Sequence, residues 1–255
     1  MATLKVKTDS LNLRKSPEIK DGNIITSLPL AQAVEVVDGN PANRFWEITT
    51  IVNGSTLKGF VSAAFLRQPV STAKEALISA GVKEWLRFDR GDKLEFEDPQ
   101  YKYVGEYWSK IGLNLDGKDR DQPWSAAFIS FVARAAGYND FKFAPAHSTY
   151  VYDAVNKRKS NVTAAPFWGF KITEHKPQLG DLVCRWRENP ITSIDSLPSG
   201  GFKSHCDIVV EIRDSEVRTL GGNVNQSVSI TVYPLNSDGF LRPANNVYGV
   251  LRNNF

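Results

Sequence analysis

Ser125 stands in "PWSAAFISFVARAAG" (residues 123–137), at the mouth of a run that is apolar nearly all round. This pattern predicts a largely buried helix that begins at the serine. A hydroxyl in that position has two uses. It can cap the helix, or it can act as a nucleophile, because the unpaired N–H groups and partial positive charge of a helix N-terminus favour an anionic nucleophile and a developing oxyanion. A nucleophile needs a base within hydrogen-bond reach and a third group to orient that base. The chain has three histidines, so the search is short. His205 opens "HCDIVVEI", whose alternation predicts a strand with His205, Asp207 and Val209 on one face and Cys206, Ile208 and Val210 on the other. Asn223, in "GGNVNQSV", follows 18 residues later and is expected at the end of the neighbouring strand.

The expected catalytic set is Ser125 as nucleophile, His205 as base and Asn223 as the group that orients His205 through its side-chain amide. Gln122, three residues before Ser125, is the expected oxyanion donor. Asp207 is the alternative orienter, although a residue two along the same strand is expected to point beside its neighbour rather than at its outer ring nitrogen. His147, in "APAHSTYV", is the second candidate for the cleft, either binding substrate or supplying the base in place of His205. Trp124 and Tyr150 are further substrate-binding candidates beside these residues. His175 in "TEHKPQ" reads as a solvated loop residue, and Asp181 of "GDLVC" as the residue that shapes a turn before its strand. Cys206 should point into the core, and with Cys184 it either forms one cross-strand disulfide or stays free as a small apolar residue. No HExxH, P-loop or dinucleotide fingerprint occurs, so neither a metal nor a cofactor is expected.

The elements that must position these residues fall into two groups. Over residues 4–68, short β-like runs ("LKVKT", "IITSL", "AVEVVDG", "FWEITTIV", "KGFVSAAFL") alternate with turn-forming stretches such as "SPEIKDGN", "DGNPAN" and "NGST", which predicts a small barrel. Pro69 breaks that pattern, and Thr72 with Glu75 reads as a capping box ahead of a helix, so the domain boundary is placed between residues 70 and 71. From 72 to about 157 the chain is expected to be mainly helical, with Pro99 in the first turn of a helix carrying Tyr101, Val104, Trp108 and Ile111. Strands return in "FWGFKI", "GDLVCRW", "HCDIVVEI", "EVRTLGG", "SVSITVY" and "VYGVLR". Helices followed by an antiparallel-looking sheet indicate an α+β domain over 71–255.

Composition narrows the partners. With 42% hydrophobic residues and 255 positions, the chain can bury a sizeable core. The net charge of +3 is spread among balanced charges, which is no footprint of nucleic-acid binding. No apolar run reaches the roughly 20 residues that span a bilayer, and "MATLKVKTDS" lacks the apolar stretch of a signal peptide.

Two resemblances add to this reading. "LNLRKSP", "IITSLPLAQAVEVVDG", "FWEI" and "KGFVSAAFL" resemble a bacterial SH3-like domain over about residues 1–70, with Asn12, Leu13, Arg14, Trp46, Gly59, Phe60, Val61 and Leu66 on its pattern. That family implies a targeting module for cell-wall peptide, with Trp46 and Phe60 as ligand contacts; Phe60 and Phe65 stand where Trp and Tyr are commoner. "PWSAAFISFVARAAG", "AHSTYV", "GDLVC", "HCDIVVEI" and "GGNVNQSV" resemble an uncharacterised family of bacterial domains, distantly similar to the papain-like CHAP and NlpC cell-wall hydrolases. This likeness spans roughly residues 75–255. It implies a papain-like α+β fold with Ser125 in the place of a catalytic Cys, His205 in the place of the catalytic His, and a polar residue near Asn223. The resulting expectation is a secreted or cell-wall peptidoglycan amidase or endopeptidase acting on stem peptides, without a cofactor. Its alternatives are an inactive cell-wall-binding protein, and an acyltransferase or peptidase on another substrate.

Overall fold

The computed structural model describes residues 2–40 and 43–255, so part of the expected "DGNPAN" turn lies outside the described residues. Helices and antiparallel sheets make this an α+β protein, and the chain divides into two compact units, Met1–Glu75 and Ala76–Phe255.

The first unit is a seven-stranded antiparallel sheet. Its strands are β1 (Thr3–Val6), β2 (Ser10–Arg14), β3 (Ile24–Pro29), β4 (Ala33–Asp38), β5 (Phe45–Val52), β6 (Ser55–Ser62) and β7 (Leu66–Arg67). They lie in the order β3-β2-β6-β5-β4-β1-β7. The Asn53-Gly54 pair joins β5 to β6 with both residues at positive φ, as a two-residue hairpin turn requires. Alternation along the strands sends Leu4, Val6, Leu11, Leu13, Leu28, Val34, Ile48 and Val61 into one core. Strand β2 is an addition to the five runs read from the sequence, because only Leu11 and Leu13 mark it.

Helix α1 (Thr72–Arg87) begins inside this unit, whose last residue is Glu75. Its start differs from the expected capping box. Ser71 Oγ accepts from the Lys74 N–H, whereas Glu75 accepts from the Val70 N–H and from Arg67. The Arg67–Glu75 pair thereby ties the first turn back to the end of β7.

The second unit holds α2 (Gln100–Ser109), α3 (Ser125–Ala135) and α4 (His147–Lys159), with Pro99 as the cap of α2 rather than a residue of its first turn. Six strands follow: β8 (Phe167–Phe170), β9 (Leu182–Trp186), β10 (Ser204–Ile212), β11 (Glu216–Val224), β12 (Ser227–Pro234) and β13 (Val247–Asn253). Their order is β12-β11-β10-β9-β13-β8, antiparallel throughout. Helix α3 packs on β10 and β11, and α4 on β8 and β10. The run Ser125–Ser130 is buried at every position, as its all-round apolar character predicts. Among the described residues, no helix is long and apolar enough to cross a membrane.

Candidate active site

Ser125 is the first residue of α3, and its hydroxyl does not cap the helix: Trp124 holds the cap position without a side-chain hydrogen bond. The Oγ instead lies 2.7 Å from His147 Nε2. His147 is the first residue of α4, so the two helices bring their N-terminal ends together at this bond. Serine and histidine are 2% and 6% exposed, and both line a cavity of about 700 Å³ that also takes in Gln122, Arg187 and Lys203. The other ring nitrogen of His147, Nδ1, meets the Tyr150 hydroxyl one turn along α4. Tyr150 also borders Cys206, whose sulfur can accept the phenolic proton while the oxygen accepts from Nδ1–H.

His205 occupies a different network. Its Nε2 lies 2.6 Å from Asp207 Oδ1, and its Nδ1 lies 2.8 Å from Arg187 Nη2. A guanidinium only donates, so Nδ1 accepts from Arg187 and the ring proton sits on Nε2, facing the carboxylate. Tyr233 donates to the second oxygen of Asp207 at 3.0 Å. Both ring nitrogens of His205 are thus engaged, and Ser125 is joined to His147 instead; the two imidazoles lie with centroids 5.3 Å apart. Asp207, expected to point beside His205, reaches its outer nitrogen directly.

The glycines of β11 leave room for close approach on both faces of the strand. A Cβ at Gly221 would fall 1.7 Å from Asp207 Oδ1 and 3.1 Å from His205 Nε2. A Cβ at Gly222 would fall 2.5 Å from Phe128 and 2.6 Å from Trp124. Neighbouring strand positions face opposite ways, so α3 packs on one face and the His205–Asp207 pair lies on the other. Asn223 follows these glycines, but it takes φ 55° where the β11–β12 register shifts. Both ring nitrogens of His205 are already taken, by Asp207 and Arg187, which leaves none for the Asn223 amide.

The remaining candidates sort by burial. Gln122 is exposed on the cavity wall. Trp124, expected to contact substrate, is 1% exposed, stacks on Phe88 and donates from Nε1 to Glu95 at 2.5 Å; it is core. Tyr150 is likewise buried and serves His147. In the first unit, Trp46 packs against the core and donates to the Asn40 carbonyl, while Phe60 lines a separate cavity of about 530 Å³ with Arg44, Phe45 and Glu47. His175 is not solvated as expected, since Asp181 holds its Nε2 at 2.8 Å. Asp181 also accepts from the Gln178 and Asn253 N–H groups, so it both shapes the turn and ties down β13. Cys184 and Cys206 are free, buried, and opposite each other on β9 and β10, with sulfurs 3.0 Å apart. Among the described residues, no group of three or more His, Cys, Asp or Glu could hold a metal ion.

Arg187 and Tyr233 were not singled out from the sequence. The available signal was "CRWR", which places arginines at alternate positions of an otherwise apolar strand end.

Burial dominates the electrostatics. It pushes the His147 pKa well below 6.5, and the neighbouring His205, Arg187 and Arg185 lower it further. Burial also lowers the His205 pKa, against the pull of Asp207. For Asp207 burial works in the opposite sense, but His205 and Arg185 keep its carboxyl below the usual value. Both histidines are therefore neutral near neutral pH. In the unfolded chain each takes up a proton as pH falls through about 6.5, whereas the fold resists it. The stability of the second unit should then fall by up to about 1.4 kcal/mol per pH unit for each histidine, from pH 6.5 down to the folded pKa values. Urea titrations at pH 7.5, 6 and 5 test this; a flat stability over that range contradicts it.

Comparison with known proteins gives a family match and distant structural likenesses. No curated protein matches the chain. A solved structure, "Structure of NlpC2 from Trichomonas vaginalis", aligns over 97% of this chain and 71% of its own at 12% identity, with a TM-score of 0.31. The family model covers residues 95–253, more than half of the chain and the whole of the Ser125–His147 and His205–Asp207 pairs. The chain therefore belongs to the bacterial family described as "Uncharacterized protein conserved in bacteria (DUF2272)".

Proposed function

We propose that this protein is a serine-dependent amide hydrolase acting on peptidoglycan, with Ser125 as nucleophile and His147 as base. The observation that carries the reading is the 2.7 Å contact between Ser125 Oγ and His147 Nε2 on the wall of a substrate-sized cavity. His147 accepts the Ser125 proton at Nε2 as Oγ attacks the carbonyl carbon. On this reading the tetrahedral oxyanion faces the first N–H groups of α3, which have no intrahelical partner, and Gln122, which lines the same cavity, is the further donor. The C–N bond then breaks and His147 returns the proton to the leaving amine. Water hydrolyses the acyl-serine by the same proton transfers. Tyr150 fixes the His147 tautomer from Nδ1, the part expected of Asn223 toward His205.

Peptidoglycan as substrate rests on the sequence resemblances of both halves. On this reading the first unit is an SH3-like targeting module, its ligand held in the cavity lined by Phe60. The site of action is then the cell wall or the space outside the membrane.

A fluorophosphonate probe tests the nucleophile without requiring knowledge of the bond cleaved. Wild-type protein should gain one covalent adduct, on the peptide that contains Ser125, and His147→Ala should lose it. A wild-type protein that stays unlabelled, or is labelled equally well without His147, contradicts the reading and favours a binding protein.

A further inference from the structure

Arg187 is an exposed residue whose guanidinium turns inward to the cavity that Ser125 and His147 line. It has no carboxylate partner among the described residues. Its single side-chain hydrogen bond runs from Nη2 to His205 Nδ1 at 2.8 Å. The other charged groups on the cavity are Asp121, Glu188 and Lys203, and the last two pair with each other at 2.5 Å. An arginine presents five N–H donors in a planar fork. Here His205 takes one, so Nη1, Nε and the second Nη2 hydrogen remain for a ligand.

The support behind that fork is extensive. Asp207 holds His205 from Nε2, Tyr233 holds Asp207, and Gly221 leaves the space that this pair occupies. Three buried polar groups are thus spent on fixing one guanidinium at the edge of a site whose chemistry lies elsewhere. A water-facing arginine needs no such anchor, whereas a pre-oriented one loses less freedom when it binds a planar anion.

The geometry points to Arg187 as a carboxylate anchor: the substrate carries a free carboxylate near its scissile amide, and His205 with Asp207 are positioning residues for that anchor rather than the proton-transfer pair. The inference rests on the hydrolase reading for the location of the scissile bond. It adds the chemical class of the substrate, an acidic peptide or a peptide with a free C-terminus. It also gives His205 a use consistent with both of its ring nitrogens being engaged.

Binding to the inert Ser125→Ala protein tests the inference separately from turnover. The probes are matched N-acetylated dipeptides, as free C-terminal acids, as C-terminal amides, and as Glu/Gln side-chain pairs, titrated by NMR chemical shift of the imidazole protons. At least one acid should bind about 10–100-fold more tightly than its amide, the value of a charge-assisted hydrogen bond. Arg187→Gln should abolish that preference, and Arg187→Lys, which keeps the charge, should retain part of it. His205→Ala should weaken it by leaving the fork unanchored. Thermal melts of each variant establish that it is folded. A preference that survives in Arg187→Gln, or equal affinity for acid and amide in every pair, overturns the assignment. A wild-type protein without hydrolytic activity leaves this binding result intact, so the two readings fail separately.

Discussion

Ser125→Ala is expected to lower release of peptidoglycan fragments by about 2–4 orders of magnitude or more, the usual consequence of removing an activated nucleophile. His147→Ala should cost a similar factor, and the double variant little more, because the two groups act as one unit. The stability change is smaller. Leaving His147 Nε2 without its buried partner costs about 1–3 kcal/mol, and no helix cap is lost, since Ser125 Oγ does not cap α3. Mass spectrometry of soluble fragments from purified cell walls measures the rate and identifies the bond. Ser125→Cys should keep partial activity and become sensitive to alkylation. Full turnover in Ser125→Ala would remove the serine from the mechanism. An inert wild type that gains activity as Ser125→Cys would identify a former cysteine site.

Gly221→Ala is expected to be the most damaging single methyl group near the site. The new carbon would stand 1.7 Å from Asp207 Oδ1. Asp207 is wholly buried and bonded to both His205 and Tyr233, so its carboxylate has no solvent to swing into. Either β11 leaves β10 locally or a buried charge loses its partners, which costs about 3–5 kcal/mol. For a unit of this size, that lowers the melting temperature by roughly 10 °C or more. Gly201→Ala is the matched control, because its nearest atom is 4.0 Å away. Calorimetry on the full chain should show one transition shifted in Gly221→Ala and none in Gly201→Ala. Equal melting of the two variants would mean that the Asp207 network is not held as described.

Much of the second unit was legible from local pattern. The runs that became β8 to β13 are apolar, alternate, and are separated by turn residues, so their existence followed from period alone. The all-round apolar stretch after Ser125 likewise became the most buried helix. What was not legible depended on which strands meet. Local sequence cannot show that Asp207 lies across from a glycine, or that Asn223 leaves the ladder at a bulge. In the same way, the meeting of two helix N-termini, 22 residues apart in sequence, selects His147 as the partner of Ser125. Which of the suspected residues meet is a property of the tertiary arrangement.

Strand β13 sits between β9 and β8, and Asn253 near its end is held by Asp181, Tyr138 and Gly180. During synthesis, every other strand of that sheet emerges from the ribosome before the one that must separate two of them. Until residues 247–253 appear, β9 exposes an unpaired edge and β8 has no neighbour, so the sheet of the second unit cannot close before that strand is made. A nascent or truncated chain that lacks residues 247–253 therefore lacks the assembled sheet.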